Sequence, residues 1–381
     1  MEAANIPAVY QKLGITPVIH GAGTTTRYGG SLMRRETIEA MREASQAYVN
    51  IDELNQAAGE TLARILGAEA ALVTAGAASG LVLQAAASMA GDDLSRIAQL
   101  PDTTGMRNEL IIQRAHRFQY DQMFRVAGGV FVEIGLGRTT SPLELEDAIN
   151  ENTAAVIYLY SPFTSPPGIL PFETICEIAH RHQVPVMVDA ASMLPPRDNL
   201  TKHLRLGADL VNFSGGKGIR GPQSTGILAG RKDLIRAAAL SASPNNGVGR
   251  PSKTSKEEIV GLVTALELFL AEDEDAEMNR YLEVSTHIVD AMRDVPGVRA
   301  VVEHDAQNRI IPHAVIYFEP SWDGPSGQVI REALEAGTPH IYVKQGLRQG
   351  GYFDEIAVDP INLKPGDENI VAGRLREELT R

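Results

Sequence analysis

Between residues 70 and 230 the chain carries seven short apolar runs, each bounded by Gly, Pro or a polar residue: "AALVT" (70–74), "LIIQR" (110–114), "VFVEIG" (130–135), "AAVIYLY" (154–160), "VPVMVD" (184–189), "ADLVNF" (208–213) and "TGILAG" (225–230). Helical patterns such as "SGLVLQAAASMA", "SPLELEDAINEN" and "PFETICEIAHRH" lie between them. A strand that is apolar along its whole length cannot keep one face in water. Alternation of such strands with helices therefore specifies an α/β fold: a mostly parallel seven-stranded sheet covered by helices on both faces. Ligands of such sheets sit beyond the carboxyl ends of the strands, so the residues just after each run are the ones to inspect.

The rest of the 381 residues divides around this sheet. A chain of this length, 44% hydrophobic, is too long for one compact domain. Near 241–256 the composition shifts to "SASPNNGVGRPSKTSK", a linker or an active-site loop. An amphipathic helix over 255–271 follows, with Ile259, Val260, Val263, Leu266 and Leu270 on one face. The strand candidates "VRAVVEH", "AVIYFEP", "PHIYVKQ" and "EIAVDPINL" and the helix "DENIVAGRLREELT" then suggest a smaller C-terminal α+β domain. The expected division is an N-terminal segment 1–50, a large domain 51–245, and a linker helix with the small domain over 246–381.

Charge and cysteine usage exclude several classes of function. A net charge of −13 argues against coating nucleic acid or an anionic membrane, which needs basic excess. The single cysteine, Cys176, rules out an internal disulfide and reads as a core thiol in a reducing compartment. The start "MEAANIPAVY" has neither a basic n-region nor an apolar h-region, and no 18-residue apolar run follows. The expectation is a cytoplasmic protein acting on small molecules.

Four strand ends carry chemistry. "SGGKGIRGPQSTG" (214–226) places Lys217 among glycines directly after a buried strand. Such a lysine is either a surface charge or a half-desolvated amine of lowered pKa, able to act as a nucleophile. "AGAASG" (75–80) opens a helix with small residues. These let backbone N–H groups approach a phosphate or simply let helix and strand pack closely; the stretch matches neither a Walker loop nor G-x-G-x-x-G. Asp189 ends an apolar strand, where a carboxylate is costly to bury without a cation or a metal. "DAAS" supplies no further metal ligand, which favours the cation. His116, after "LIIQRA", is either a satisfied structural histidine or part of the same edge.

Lys217, Asp189 and the 76–78 turn together suit one cofactor, pyridoxal 5'-phosphate, which needs an attachment lysine, an anion at its ring nitrogen and a cradle for its phosphate. At about 4 Å and an effective dielectric near 20, a carboxylate stabilises a pyridinium by roughly 4 kcal/mol, about 3 pK units. The pattern is specific: "VMVDAAS", followed 28 positions after its aspartate by the lysine of "FSGGKGIRGPQSTGIL", resembles the fold-type-I pyridoxal-phosphate enzymes. Within them it is similar to the branch of bacterial selenocysteine synthase and D-glucosaminate-6-phosphate ammonia-lyase. "VIHGAGTTTRYGG", "LGAEAALVTAGAASG" and "GRPSKTSKEEIVGLVTALELFL" extend the similarity over roughly residues 12–270.

The resemblance implies Lys217 as the Schiff-base lysine, Asp189 as the ring-nitrogen partner, His116 as the ring-stacking group and Gly76, Ala77 and Ala78 as the phosphate turn. Ser214 adds a hydroxyl to the phosphate, and Gln223 of "GPQ" lies near a subunit boundary, implying a homodimer or higher homo-oligomer. The ammonia-lyase branch removes water and then ammonia from a phosphorylated amino sugar acid. Its anionic substrate calls for cations, for which Arg27 and Arg220 are the first candidates, with Arg117, Arg250 and Lys253 also in loops. Racemase or aldolase chemistry on an amino acid is the alternative. Seryl-tRNA is disfavoured as substrate by the acidic composition and by a chain that begins almost at once with "YQKLGITPVIHGAG".

Overall fold

The computed structural model describes residues 6–161, 168–304, 311–346 and 354–381. They form two compact units, one of Met33–Ala271 and one that combines Met1–Leu32 with Glu272–Arg381. The first strand of the chain, β1 (Ile19–Gly21), belongs to the second, smaller unit.

The large unit is built on strands β2 (Ala70–Thr74), β3 (Glu109–Gln113), β4 (Val130–Ile134), β5 (Thr153–Leu159), β6 (Val186–Asp189), β7 (Leu210–Ser214) and β8 (Gly226–Gly230). They are the seven apolar runs, shifted by two residues at most. They form a single sheet in the order β2-β8-β7-β6-β5-β3-β4. All strands are parallel except β8, which runs antiparallel to both neighbours. Side chains alternate between the two faces. Val186, Val188, Val211 and Phe213 point to one core layer, covered by helices Ile51–Leu66, Phe172–Arg181 and Lys256–Ala271. Met187 and Leu210 point to the other, covered by helices Gly76–Ala90 and Lys232–Ser241. The same alternation sends Asp189, Asn212 and Ser214 to the Gly76–Ala90 face.

The boundaries expected at 50/51 and 245/246 are not where the contacts divide. Helix Arg35–Ala44 lies along helix Lys256–Ala271, so both belong to the large unit. Their closeness needs Gly261, whose Cβ would stand 2.7 Å from Met41 Cγ. The buried residues of helix Lys256–Ala271 are Ile259, Gly261, Leu262, Ala265, Leu266 and Phe269. Val260, Val263 and Leu270, expected on the buried face, are only half-buried, because the helix is packed over more than one stripe. The Ser/Pro/Asn/Gly stretch before it is no hinge. It folds back on the preceding helix, with the Gly249 N–H donating to the Ser241 carbonyl at 2.9 Å and Asn245 Nδ2 to the Ala239 carbonyl at 3.0 Å.

In the small unit, β9 (Val298–Glu303), β10 (His313–Phe318) and β12 (Glu355–Val358) form an antiparallel sheet in the order β12-β10-β9. β11 (Ile341–Val343) pairs in parallel with β1. Helices Glu274–Asp290, Gly327–Ala336 and Asp367–Leu379 supply Ile288, Ile330, Leu334, Val371 and Leu375 to its core. A buried ion cluster ties it together: Asp359 Oδ2 accepts from Lys344 Nζ at 2.6 Å and lies 3.1 Å from His313 Nε2. Among the described residues, no helix is long and apolar enough to cross a membrane.

Candidate active site

Three elements of the large unit end at one edge of the sheet. β6 delivers Asp189, β7 runs through Ser214 into the lysine loop, and helix Gly76–Ala90 begins after β2. Parallel strands bring their carboxyl ends to the same edge, which is why residues so distant in sequence meet there.

Lys217 lies in a loop closed by backbone hydrogen bonds from Gly215 N–H to the Thr225 carbonyl and from Gly221 N–H to the Gly215 carbonyl, both 2.8 Å. The glycines serve close approach. Added Cβ atoms would meet Thr225 Oγ1 at 2.1 Å from Gly215, Gln223 Cα at 2.3 Å from Gly216 and the Leu194 carbonyl oxygen at 2.1 Å from Gly218. The left-handed turn itself falls on Arg220, with φ of 59°. Burial pushes the Lys217 amine below the ordinary lysine value, while the nearby Asp189 charge pulls it back up. The surface-charge reading of Lys217 is thereby set aside.

Asp189 is 3% exposed. Burial raises its carboxyl above the usual range; a hydrogen bond from the Ala191 N–H to Oδ1 at 2.9 Å and the charge of Lys217 act in the opposite direction. Among the described residues the two side chains do not pair directly within 4.0 Å. A carboxylate and an amine that sense one another without pairing are both open to engagement by one small ligand. Such a pair fits a flat cation-bearing ring, with the acid at one end and the amine at the other.

The turn at the start of helix Gly76–Ala90 completes the edge. Its N-cap residue, Ala75, contributes no side-chain cap, so the first-turn N–H groups are free of one. Gly76 has φ of 74°, and a Cβ there would meet nothing closer than the Ser224 carbonyl at 3.9 Å. Gly226 of β8 abuts the turn, its Cβ position lying 2.8 Å from Ala77 N. Open space over uncapped N–H groups suits a phosphate oxygen. Asn212 braces the same turn from below, Nδ2 donating to the Ala77 carbonyl at 3.0 Å. Ser214 is half-buried on the same face of the sheet. The donors, the acid and the amine thus fit pyridoxal phosphate.

His116 departs from its expected role. It sits on the 3-10 turn Arg114–His116, just past β3, at the expected edge. Yet it is 0% exposed. Its ring packs edge-on against Tyr158, and Nδ1 accepts a hydrogen bond from the Leu159 N–H at 3.4 Å. A ring-stacking role needs an open ring face, which this burial does not offer. Burial lowers the His116 pKa to about 4, and its Nε2 is buried with no hydrogen-bond partner among the described residues.

The cations separate. Arg220 is half-buried beside Lys217, whereas Arg27 is exposed on the turn Thr26–Tyr28 of the small unit. Arg117 is engaged with Asp121 and Glu133. Arg250 and Lys253 line a hollow of about 520 Å³ with Ile97, Leu100 and Pro101. Gln223 is exposed and closes on Gly216 through its backbone. Ser243, Ser252 and Thr254 line a narrow cleft with Thr74, Ala75 and Ser79, which makes the 241–256 stretch a loop bordering the site. Cys176 is buried, and its thiol is pushed up to about 12, so it is an inert core residue. No cluster suited to a metal ion exists among the described residues.

Asn212 and its contact with helix Gly76–Ala90 escaped the reading of the sequence. Its one signal was a polar residue inside the apolar run "LVNF".

Residues 18–304 match the family described as "SelA: L-seryl-tRNA selenium transferase". The 5'-C-glycyluridine monooxygenase-decarboxylase of a Streptomyces species is 33% identical over 377 residues, 97% of this chain and 92% of that protein. The D-glucosaminate-6-phosphate ammonia lyase of Salmonella typhimurium is 32% identical over 375 residues, 97% of this chain and 98% of that protein. A solved structure of D-glucosaminate-6-phosphate ammonia-lyase superposes with a TM-score of 0.84 at 31% identity, covering 98% of each chain.

Proposed function

The chain belongs to the SelA family, and from that premise we propose that it is a pyridoxal-phosphate-dependent lyase, releasing a 2-keto acid and ammonia from a hydroxylated amino acid that carries a further anionic group. One observation carries the reading: at the carboxyl edge of the sheet, buried Asp189 and largely buried Lys217 lie close enough for each charge to act on the other without a direct ion pair. Bound there, pyridoxal phosphate supplies an electron sink for the pair left behind when the substrate loses its Cα proton.

The protein's own groups do the rest. Lys217 holds the cofactor, and its amine, once released by the substrate and with its pKa lowered by burial, is the base that takes the Cα proton. Asp189 holds a negative charge against the ring nitrogen. The first-turn N–H groups of Gly76, Ala77 and Ala78 and the Ser214 hydroxyl bind the phosphate. Arg220, beside Lys217 in the same unit, is the cation assigned to the substrate's anionic groups. As the β C–O bond breaks, the proton on Lys217 Nζ passes to the departing hydroxyl, which leaves as water. A water molecule then returns to hydrolyse the released unsaturated amine. The net change is substrate to 2-keto acid and ammonia, with no external oxidant or reductant.

The working unit is assigned as a homodimer in the cytoplasm, with Gln223 near the partner subunit and with neither nucleic acid nor membrane as partner; the net charge of −13 supports the last two assignments. Light scattering tests the dimer: a fully active monomer refutes it.

The activity test incubates the protein and pyridoxal phosphate in heavy water with D-glucosaminate 6-phosphate and a panel of D- and L-β-hydroxy amino acids. Keto acid with equimolar ammonia is the expected result. Deuterium at Cα with inversion and no ammonia points instead to a racemase, and glycine with an aldehyde to an aldolase. A second reading comes from the relative named monooxygenase-decarboxylase, which is as similar as the lyase. Uptake of dioxygen with release of carbon dioxide in the same incubations selects it.

A further inference from the structure

A buried asparagine in an apolar strand demands a partner for each of its polar atoms. Asn212 is 0% exposed on β7, flanked in sequence by the core residues Val211 and Phe213. In the register of the sheet it stands directly beside Asp189 of β6. It shares the face of Asp189 and Ser214, beneath helix Gly76–Ala90. There Nδ2 reaches the Ala77 carbonyl at 3.0 Å, while Oδ1 is buried with no hydrogen-bond partner among the described residues.

The helix is shaped to accept this contact. A Cβ on Gly80 would lie 2.1 Å from Asn212 Oδ1, so only glycine allows the approach. Farther along, fully buried Gln84 donates Nε2 to the Val188 carbonyl at 3.2 Å, next to Asp189. Residues 77, 80 and 84 lie on one helical face. Two buried amides therefore join the opening turns of this helix to the strand ends that carry the acid and the lysine loop.

Satisfying the helix does not explain the Asn212 contact. As a carbonyl within a regular helix, that of Ala77 already has an intrahelical donor four residues on. What the second bond adds is position. We infer that Asn212 is a positioning residue that sets the Gly76–Ala78 turn relative to Asp189, so that the phosphate and the ring nitrogen of one cofactor are held at a fixed spacing. The inference rests on the reading of this edge as a pyridoxal-phosphate site.

The test compares pyridoxal phosphate with pyridoxal, which has the ring and aldehyde without the phosphate. Both are titrated by absorbance into the cofactor-free full chain, wild type, Asn212→Ala and Gly80→Ala. The inference expects each variant to bind pyridoxal phosphate about tenfold more weakly, with pyridoxal affinity changed by less than about twofold. Gly80→Ala keeps the amide but displaces it, and it carries the test if circular dichroism shows Asn212→Ala unfolded. Equal weakening of both ligands marks a merely structural residue and overturns the inference, as does unchanged affinity for pyridoxal phosphate. A wild-type chain that takes up neither ligand overturns the cofactor reading itself and this inference with it; a wild type that binds and variants that bind identically overturn the inference alone.

Discussion

A Cβ on Gly218 would stand 2.1 Å from the carbonyl oxygen of Leu194, so the residue after Lys217 is held against backbone from the β6–β7 connection. Neither side of that contact is the far end of a flexible side chain. Gly218→Ala must therefore move the loop, and a shift of about 1 Å at a reacting group can cost on the order of 100-fold in rate. Borohydride trapping of the cofactor on Lys217 is expected to fall at least about tenfold in this variant. Trapping at the wild-type level would mean that the loop yields without moving the amine.

Asp189→Asn is expected to retain covalent attachment of pyridoxal phosphate to Lys217 while losing most turnover. A charge pair of roughly 4 kcal/mol at the ring nitrogen corresponds to about a thousandfold in rate. Cofactor content by absorbance and kcat by keto-acid release separate the two effects. Near-normal kcat would reduce Asp189 to a structural role.

The pH dependence of Lys217 follows from the two influences on it. Burial lowers its pKa and the Asp189 charge raises it, with burial dominant. In the cofactor-free chain, labelling of Lys217 by trinitrobenzenesulfonate, which needs the neutral amine, should therefore have its midpoint below the ordinary lysine value. In Asp189→Asn the opposing influence is gone, and the midpoint should drop further. A midpoint that rises in that variant contradicts the assignment.

The small unit offers a test of stability against pH. Burial pushes the Asp359 carboxyl up, but Lys344 and His313 outweigh it and hold it well below the usual carboxylate range. A depressed pKa stabilises the fold above the ordinary aspartate value, and this contribution is lost as acid protonates the group. Asp359→Asn is expected to cost roughly 3 kcal/mol near neutrality, because it leaves Lys344 and His313 without their anion. The gap between wild type and variant, measured by denaturant unfolding of the full chain, should shrink as the pH falls below about 4. A gap that widens on acidification would exclude this linkage.

Much of the large unit was legible because its signals are local. A strand buried on both faces has to be apolar throughout, and the seven runs lie within two residues of the observed strands. An acid ending one such strand, and a lysine in a glycine-rich loop after the next, mark a ligand edge by residue type alone. His116 was legible as a member of that edge but not in its role, since nothing local says whether a ring faces a ligand or Tyr158. The domain boundaries failed for a similar reason. An amphipathic stripe announces that helix Lys256–Ala271 has a partner without saying that the partner is helix Arg35–Ala44.

The sequence by itself determined the α/β class, the sheet, and the place of Asp189 and of Lys217 at or just beyond the ends of buried strands, because hydrophobic periodicity and the cost of burying a charge act over a few residues. Only the tertiary structure decided that the glycines around Lys217 serve close packing while Arg220 makes the turn, that Asn212 stands beside Asp189, and that β1 joins the small unit. Those outcomes hang on contacts between positions far apart in the chain, 194 with 218, 77 with 212, 19 with 341. The free energy of such contacts depends on the relative placement of whole elements, which no local pattern of residues encodes.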